Sequence, residues 1–300
     1  MVDLDRAYEF MASNARLLDR RRFEVLVQGA PPEGVLAALE AYRNSDGGYS
    51  WGLEPDLRAT ESQPGPALHA FEVFEDIAPA TSPWAVELCD WLDKTTLDDG
   101  GLPFALPVGN RAGCAPFWAD ADPTVSSLQI TAIVTAMAHR VAASDPAVAE
   151  HDWLRGATDY CLQASEAMAD ELPAMARAFA LQALDAAAHG RPEADAVIKR
   201  LGAPIPESGQ LHVSGGLPDE FMRPLDFAPF PDGAARKLLS AESVAADVER
   251  LATAQLDDGG WPLEFKAYSP AAALEWRGHL TVNALSLLKR NGQLGSARTR

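Results

Sequence analysis

Cysteine is scarce in this 300-residue chain: Cys89, Cys114 and Cys161 are widely spaced, odd in number and form no CxxC pair. That spacing argues against a disulfide framework or a thiolate zinc cluster and fits a reducing compartment. Positive charge is short as well. Lysine and arginine number 25 against 43 acidic residues, a formal net charge of −18, and so acidic a surface repels phosphate backbones and anionic lipid. Nucleic acid is therefore not an expected partner. Long apolar runs are missing: the longest weakly polar stretch, Leu128 to Ala138, has eleven residues, where a membrane-spanning helix needs about twenty. Asp3, Asp5, Arg6 and Glu9 interrupt the first ten positions, so no signal-peptide core is expected there. The expectation is a cytoplasmic chain without an integral membrane span. No Walker loop, GxGxxG fingerprint, HExxH pair or nucleophile elbow occurs.

Hydrophobic residues make up 47% and charged residues 23% of the chain, enough apolar surface for a substantial core. One phrase recurs: Asp46-Gly47-Gly48-Tyr49, Asp99-Gly100-Gly101-Leu102 and Asp258-Gly259-Gly260-Trp261. The first two copies lie 53 residues apart and the third follows at three times that spacing, so the period implies further units that lost the phrase near positions 152 and 205. An amphipathic helical pattern precedes each copy: Val35, Leu36, Leu39 and Tyr42; Trp84, Leu88, Trp91 and Leu92; Val244, Val248 and Leu251. After each copy comes a loop rich in proline and aromatics, then a stretch apolar on all sides, at Pro66 to Phe74, Val125 to Ala138 and Leu280 to Leu288. Leu172 to Ala187 continues that series without the phrase. A helix apolar all round must be buried, so these stretches predict an inner layer and the amphipathic ones an outer layer.

The fold expected is all-α: an α/α toroid of about five to six helical hairpins over residues 1–291, with a frayed tail at 292–300. Between Gly202 and Leu238 glycine, proline and phenylalanine are dense and no long helix is expected, which makes the segment a lid or a degenerate repeat. In a toroid the inner helices start around one mouth of the central cavity. The residues expected there are Trp51, Glu54, Asp56, Arg58 and Glu61 from the first unit, and Phe117, Trp118, Asp120, Asp122 and Thr124 from the second. Asp170 and Glu171 come from the third, and Glu264, Phe265, Trp276, Arg277 and His279 from the last. Cys89, Cys161, His69 and His139 fall in helical patterns and are expected inside; His151, His189 and His212 are expected near the surface.

The phrase Gln255 to Trp261 after an amphipathic helix resembles the QW motif of squalene-hopene and oxidosqualene cyclases and the related repeat of protein prenyltransferase β subunits. The other copies end in Tyr49 and Leu102 and carry Arg43 and Thr95 near the glutamine position. Asp120-Ala121-Asp122-Pro123-Thr124 is similar to the DxDD(T) motif of class II terpene cyclases, with Pro123 in the place of the third aspartate. The resemblance implies an acid-initiated cyclisation of an isoprenoid, with Asp122 as proton donor and Asp120 beside it. Protonating an alkene needs a carboxylic acid that is dry and itself protonated, and two crowded carboxylates raise the pKa of one. Trp51, Phe117, Trp118, Phe265 and Trp276 are the rings expected to face a carbocation.

Other functions stay open. Asp120 and Asp122 can instead cap the helix beginning near Pro123. Glu54 or Asp56 can form an ion pair with Arg58, or act as the acid of a glycan-active toroid. The cavity can hold a hydrophobic ligand or partner without catalysis. A zinc site from Cys114, Asp122 and His279 is disfavoured, and no cofactor is expected, with magnesium conceivable only for a diphosphate substrate. Asp98-Asp99 and Asp257-Asp258 are expected to cap turns. A homodimer is conceivable if an incomplete ring leaves helix edges exposed.

Overall fold

A computed structural model describes residues 2–188 and 191–294. Fourteen helices and one two-stranded ribbon make up the regular structure among the described residues. The first three helices, α1 (Leu4–Asn14), α2 (Leu17–Gln28) and α3 (Glu33–Glu40), lead to the first Asp-Gly-Gly turn. Next come α4 (Pro64–Asp76), α5 (Pro83–Thr95), α6 (Pro116–Ala119), α7 (Leu128–Ala142), α8 (Pro146–Ala149) and α9 (Asp152–Met168). The chain continues through α10 (Ala174–Ala187), α11 (Pro192–Gly202), α12 (Pro224–Phe227), α13 (Ala241–Thr253) and α14 (Pro270–Arg290). Strands β1 (Leu211–His212) and β2 (Phe221–Met222) pair antiparallel.

Local chemistry sets the helix starts. Ser82, Ser127, Ser240 and Ser269 each accept an amide hydrogen bond at the head of α5, α7, α13 and α14, and Pro64, Pro83 and Pro270 occupy first turns where a missing N–H costs nothing. Three of the four stretches that read as apolar all round are interior, since α4, α7 and α10 bury most of their residues; the fourth, in α14, is buried on one side, and α5, α9 and α13 likewise bury one face. Helix α4 packs on α7, α7 on α10, α10 on α12, α12 on α13, α13 on α14, α14 on α2, and α2 back on α4. Helices α5, α9 and α11 back this series. Helices α1, α2, α9 and α11 carry no copy of the phrase and were not singled out by the repeat.

The repeated phrase has one geometry in all three copies. Gly47, Gly100 and Gly259 adopt φ of 93°, 90° and 93°, a region open to glycine. Asp46, Asp99 and Asp258 each accept the amide of the glycine two residues on, at 3.0, 3.1 and 3.1 Å, so these aspartates cap turns as expected. The second glycine lets another element close in: a Cβ on Gly101 would lie 2.6 Å from both Ser126 Cβ and the Tyr160 ring. Gly101→Ala is expected to cost about 1–3 kcal/mol by overpacking; an unchanged urea midpoint would show that the turn yields.

Gln255 of the QW-like phrase joins the chain's two ends. Its carboxamide accepts from the Asp3 amide and donates to the Asp3 and Gly259 carbonyls, at 2.8, 2.8 and 2.9 Å. Arg43, at the corresponding place in the first copy, pairs with Glu87 and stacks on Trp84 of α5.

From 202 to 238 no long helix forms, as expected: β1, β2, α12 and a short 3-10 turn (Ala235–Leu238) occupy it. Of the predicted frayed tail, 292–294 are described and 295–300 lie outside the described residues, as does His189. Among the described residues no helix is long and apolar enough to cross a membrane.

Candidate functional site

A cavity of about 410 Å³ opens among α2, α4, α7, α10, α13 and α14, with residues from 213 to 229 and from 261 to 265 completing its wall. The glycine- and proline-rich segment thus contributes directly, through Val213, Phe221, Met222, Leu225, Asp226 and Pro229. Its volume falls in the range of roughly 300–1,000 Å³ common for small-molecule sites.

Charged side chains gather on one wall. Arg22 of α2, 4% exposed, donates from Nε to Asp76 at 2.6 Å and from Nη1 to Glu72 at 2.9 Å. His69, one turn before Glu72 on α4, places Nδ1 3.2 Å from Glu72 Oε2 and Nε2 3.2 Å from Glu54 Oε2. His279 of α14 lies edge-on to His69 with ring centroids 4.8 Å apart, and its Nε2 is 2.7 Å from Asn283 Nδ2.

These neighbours push the two imidazoles apart. Burial alone would lower the pKa of His69, but its bonds to Glu54 and Glu72 outweigh that and lift it to about 9. Burial drives His279 down to about 3, with Glu72 opposing and the His69 and Arg22 charges adding to the fall. Burial works to raise Glu72, yet His279, Arg22 and His69 together hold it well below the usual range. His69 is thus an imidazolium at neutral pH and His279 a neutral base.

The signs fix a stability profile. His69 has a raised folded pKa, so its contribution is complete below the unfolded value near 6.5 and is lost as pH rises through about 9. His279, at about 3, and His139, lowered by burial to about 4, bind protons later than the unfolded chain, so stability falls as pH drops from about 6.5 toward those values. Asp76 and Asp226, both raised to about 6, act in the opposite sense between about 6 and 3.8. His69→Gln is expected to flatten the alkaline limb selectively in urea titrations run from pH 6 to 10; an unchanged limb would assign it elsewhere.

Of the site residues expected from sequence, Glu264, Phe265, Trp276 and His279 line the cavity, with ring centroids 5.2 Å apart for Phe265–Trp276 and 5.4 Å for Trp276–His279. Glu54 is buried behind them on His69. Asp56 is buried too, but both its oxygens are taken: they accept from the Tyr268 amide and Trp276 Nε1, each at 2.8 Å. Its backbone carbonyl accepts from Ala115, so the loops ahead of α4, α7 and α14 do meet. Arg58 pairs with Glu275 at 2.6 Å rather than with Glu54 or Asp56.

Several expectations are corrected. Asp122 is exposed and is not part of the cavity wall. Its carboxylate accepts from the Thr124 hydroxyl and amide, at 2.6 and 2.9 Å, and both bonds lower its pKa, the reverse of what a proton donor needs. Asp120 is likewise exposed and pairs with Arg111. Trp51 and Phe117 are 51% and 59% exposed, because Trp51 turns out to bond Asn44 at 2.8 Å and Phe117 rides on a one-turn helix. Trp118 is buried against Phe104 and Gly65, outside the cavity. Arg277 grips Asp258 through both Nη atoms at 2.8 Å and stacks on Phe10, so it braces the third turn.

Among the described residues, one group has metal-ligand spacing: single ligand atoms of His69, Glu72 and His279 lie within 4.8 Å of one another. Two histidines and a carboxylate suit catalytic zinc or iron. Arg22 competes for that place, because its Nη1 lies 2.9 Å from Glu72 Oε2 and 3.4 Å from His279 Nδ1. The guanidinium supplies the positive charge that those atoms face. Cys114 and Asp122 do not join His279.

Sequence reasoning missed Arg22, Glu72, Asp76, Arg140 and Asp226. A usable signal existed on α4: His69, Glu72 and Asp76 form a polar stripe at helical spacing on a helix that is otherwise apolar apart from Glu75. Asp226 is the residue best placed for acid chemistry. It lines the cavity and burial raises it to about 6, with the Arg223 amide opposing and Asp247 assisting. One oxygen accepts from the Arg223 amide at 2.7 Å.

A scan against protein-family models matches none, and a search of curated proteins finds no similar one.

Proposed function

We propose that the helices form an α/α toroid and that the chain is a terpene-cyclase-like enzyme, transferring a proton to an isoprenoid substrate held in the central cavity. The acid in this proposal is Asp226, not Asp122. One observation carries it: of the two carboxyl groups on the cavity wall that burial raises to about 6, Asp76 is bonded to the Arg22 guanidinium and Asp226 to a backbone amide. Support for the architecture comes from the succession of helix contacts that returns from α14 to α2 and α4. Support for the substrate class comes from the aromatic wall of Phe221, Phe265, Trp261 and Trp276, since ring faces stabilise a developing carbocation by about 2 kcal/mol or more when desolvated. His69 does not compete for the role, because both its nitrogens are bonded to carboxylates.

The test is incubation of the protein with geranyl, farnesyl and geranylgeranyl substrates and gas-chromatographic detection of cyclic products. Turnover is expected to be highest below pH 6 and to fall about tenfold per pH unit above it, as the acid loses its proton. Absence of product from every isoprenoid tried would end the cyclase proposal. Ligand retention without turnover would then favour a binding toroid.

A further inference from the structure

Four arginines line the cavity, and three are neutralised there. Arg22 is bonded to Glu72 and Asp76, Arg250 to Asp247 and Glu264, and Arg290 to Glu75. Arg140 of α7 differs: among the described residues it makes no ion pair. Its Nη1 donates to Met137 Sδ at 2.9 Å and its Nη2 to Gln182 Oε1 at 2.5 Å, and its Nε has no partner at all. Burial lowers its pKa to about 10, which leaves it a cation at neutral pH.

The guanidinium is nonetheless held in place. Gln182, which accepts from it, is itself fixed by donating to the Asp226 carbonyl at 2.7 Å. Phe230 lies 4.7 Å from the Arg140 guanidinium carbon and 4.6 Å from that of Arg290, so one ring braces both. A charge drawn into the interior with no bonded carboxylate, on which Glu75, Glu72 and Asp185 act only from a distance, is expensive for the free protein and calls for an explanation. An anionic ligand supplies one.

We infer that Arg140 binds the carboxylate of the cavity's ligand, and that the ligand is a monocarboxylate with an apolar body. The surroundings favour one negative charge over several. Among the described residues Arg140 is the one guanidinium on the wall bonded to no carboxylate, while Glu75, Glu220, Asp226 and Glu264 on the same wall would repel a more highly charged group. A planar guanidinium also suits the two oxygens of a carboxylate. This rests on the proposed cavity site but not on catalysis.

The experiment compares binding of geranic acid, geraniol and geranyl diphosphate, and of decanoate and decanol, by isothermal titration at pH 7.5. Each acid is expected to bind about 10- to 100-fold more tightly than its alcohol, and Arg140→Met to remove that difference while leaving the alcohols unchanged. Decanoate binding with the whole geranyl series inert supports the carboxylate site and sinks the isoprenoid substrate instead. Equal affinity for acid and alcohol, tightest binding of the diphosphate, or no binding of any acid overturns the inference. A second measurement guards against misfolding. Ligand-free Arg140→Met is expected to match or exceed the wild-type urea midpoint, because it removes an unpaired buried charge; a large loss would make Arg140 a structural residue and overturn the inference too.

Discussion

Asp226→Asn is expected to lower kcat by about 10²- to 10⁴-fold, the usual worth of a positioned general acid, while KM changes little. The amide keeps the shape of the carboxyl group and can still accept from the Arg223 amide, so α12 and the cavity wall persist. What it cannot do is release a proton. The pH profile is therefore the sharper readout. Wild-type turnover is expected to decline above about pH 6, where Asp226 ionises, and the residual activity of the variant is expected to lose that limb. Asp122→Asn serves as the control, since Asp122 is exposed and occupied with Thr124. If the Asp122 variant loses activity and the Asp226 variant retains it, the assignment is reversed.

Arg22→Ala is expected to destabilise the fold by about 3–5 kcal/mol, the range for removing one partner of a buried ion pair. Two carboxylates would be left in the interior without their partner, those of Glu72 and Asp76. Arg22→Lys is expected to recover only part of the loss, because an ammonium cannot reach both carboxylates through a rigid fork. Urea denaturation at pH 7 measures both. The deficit should shrink toward pH 5, where Asp76, no longer held by Arg22, takes up a proton more readily than it does now at about 6. A loss below about 1 kcal/mol for the alanine variant would mean that the network contributes nothing net. Arg22 and Arg140 thus form a contrast within one cavity: the guanidinium bonded to two carboxylates is expected to hold the fold, and the one bonded to none is proposed to hold a ligand.

Much of the fold was readable residue by residue. The three Asp-Gly-Gly copies predicted turns, and the positive φ of Gly47, Gly100 and Gly259 is the physical reason the phrase survives in each. All-round apolarity picked out α4, α7 and α10 as interior, because such a surface is stable only when covered on every side. The candidate site was far less legible. Aspartates ahead of a helix satisfy amide donors wherever they stand, so Asp120-x-Asp122 looked like an acid pair while acting as a local cap and an ion-pair partner. Cavity residues, by contrast, announce themselves only once distant segments meet. His69 meets Glu54 from another segment of the chain, His279 meets Glu72 and Arg22 from more than 200 positions away, and Asp226 comes from a segment without periodicity.

From its own amino acids the chain determined what is governed within a few residues: where helices begin, which turns need glycine, which helices are covered all round. Tertiary structure alone decided which ionisable groups are dry and which partners they meet. Burial and a neighbour's charge each shift a proton equilibrium by several units, and neither is a property of the residue that carries the proton.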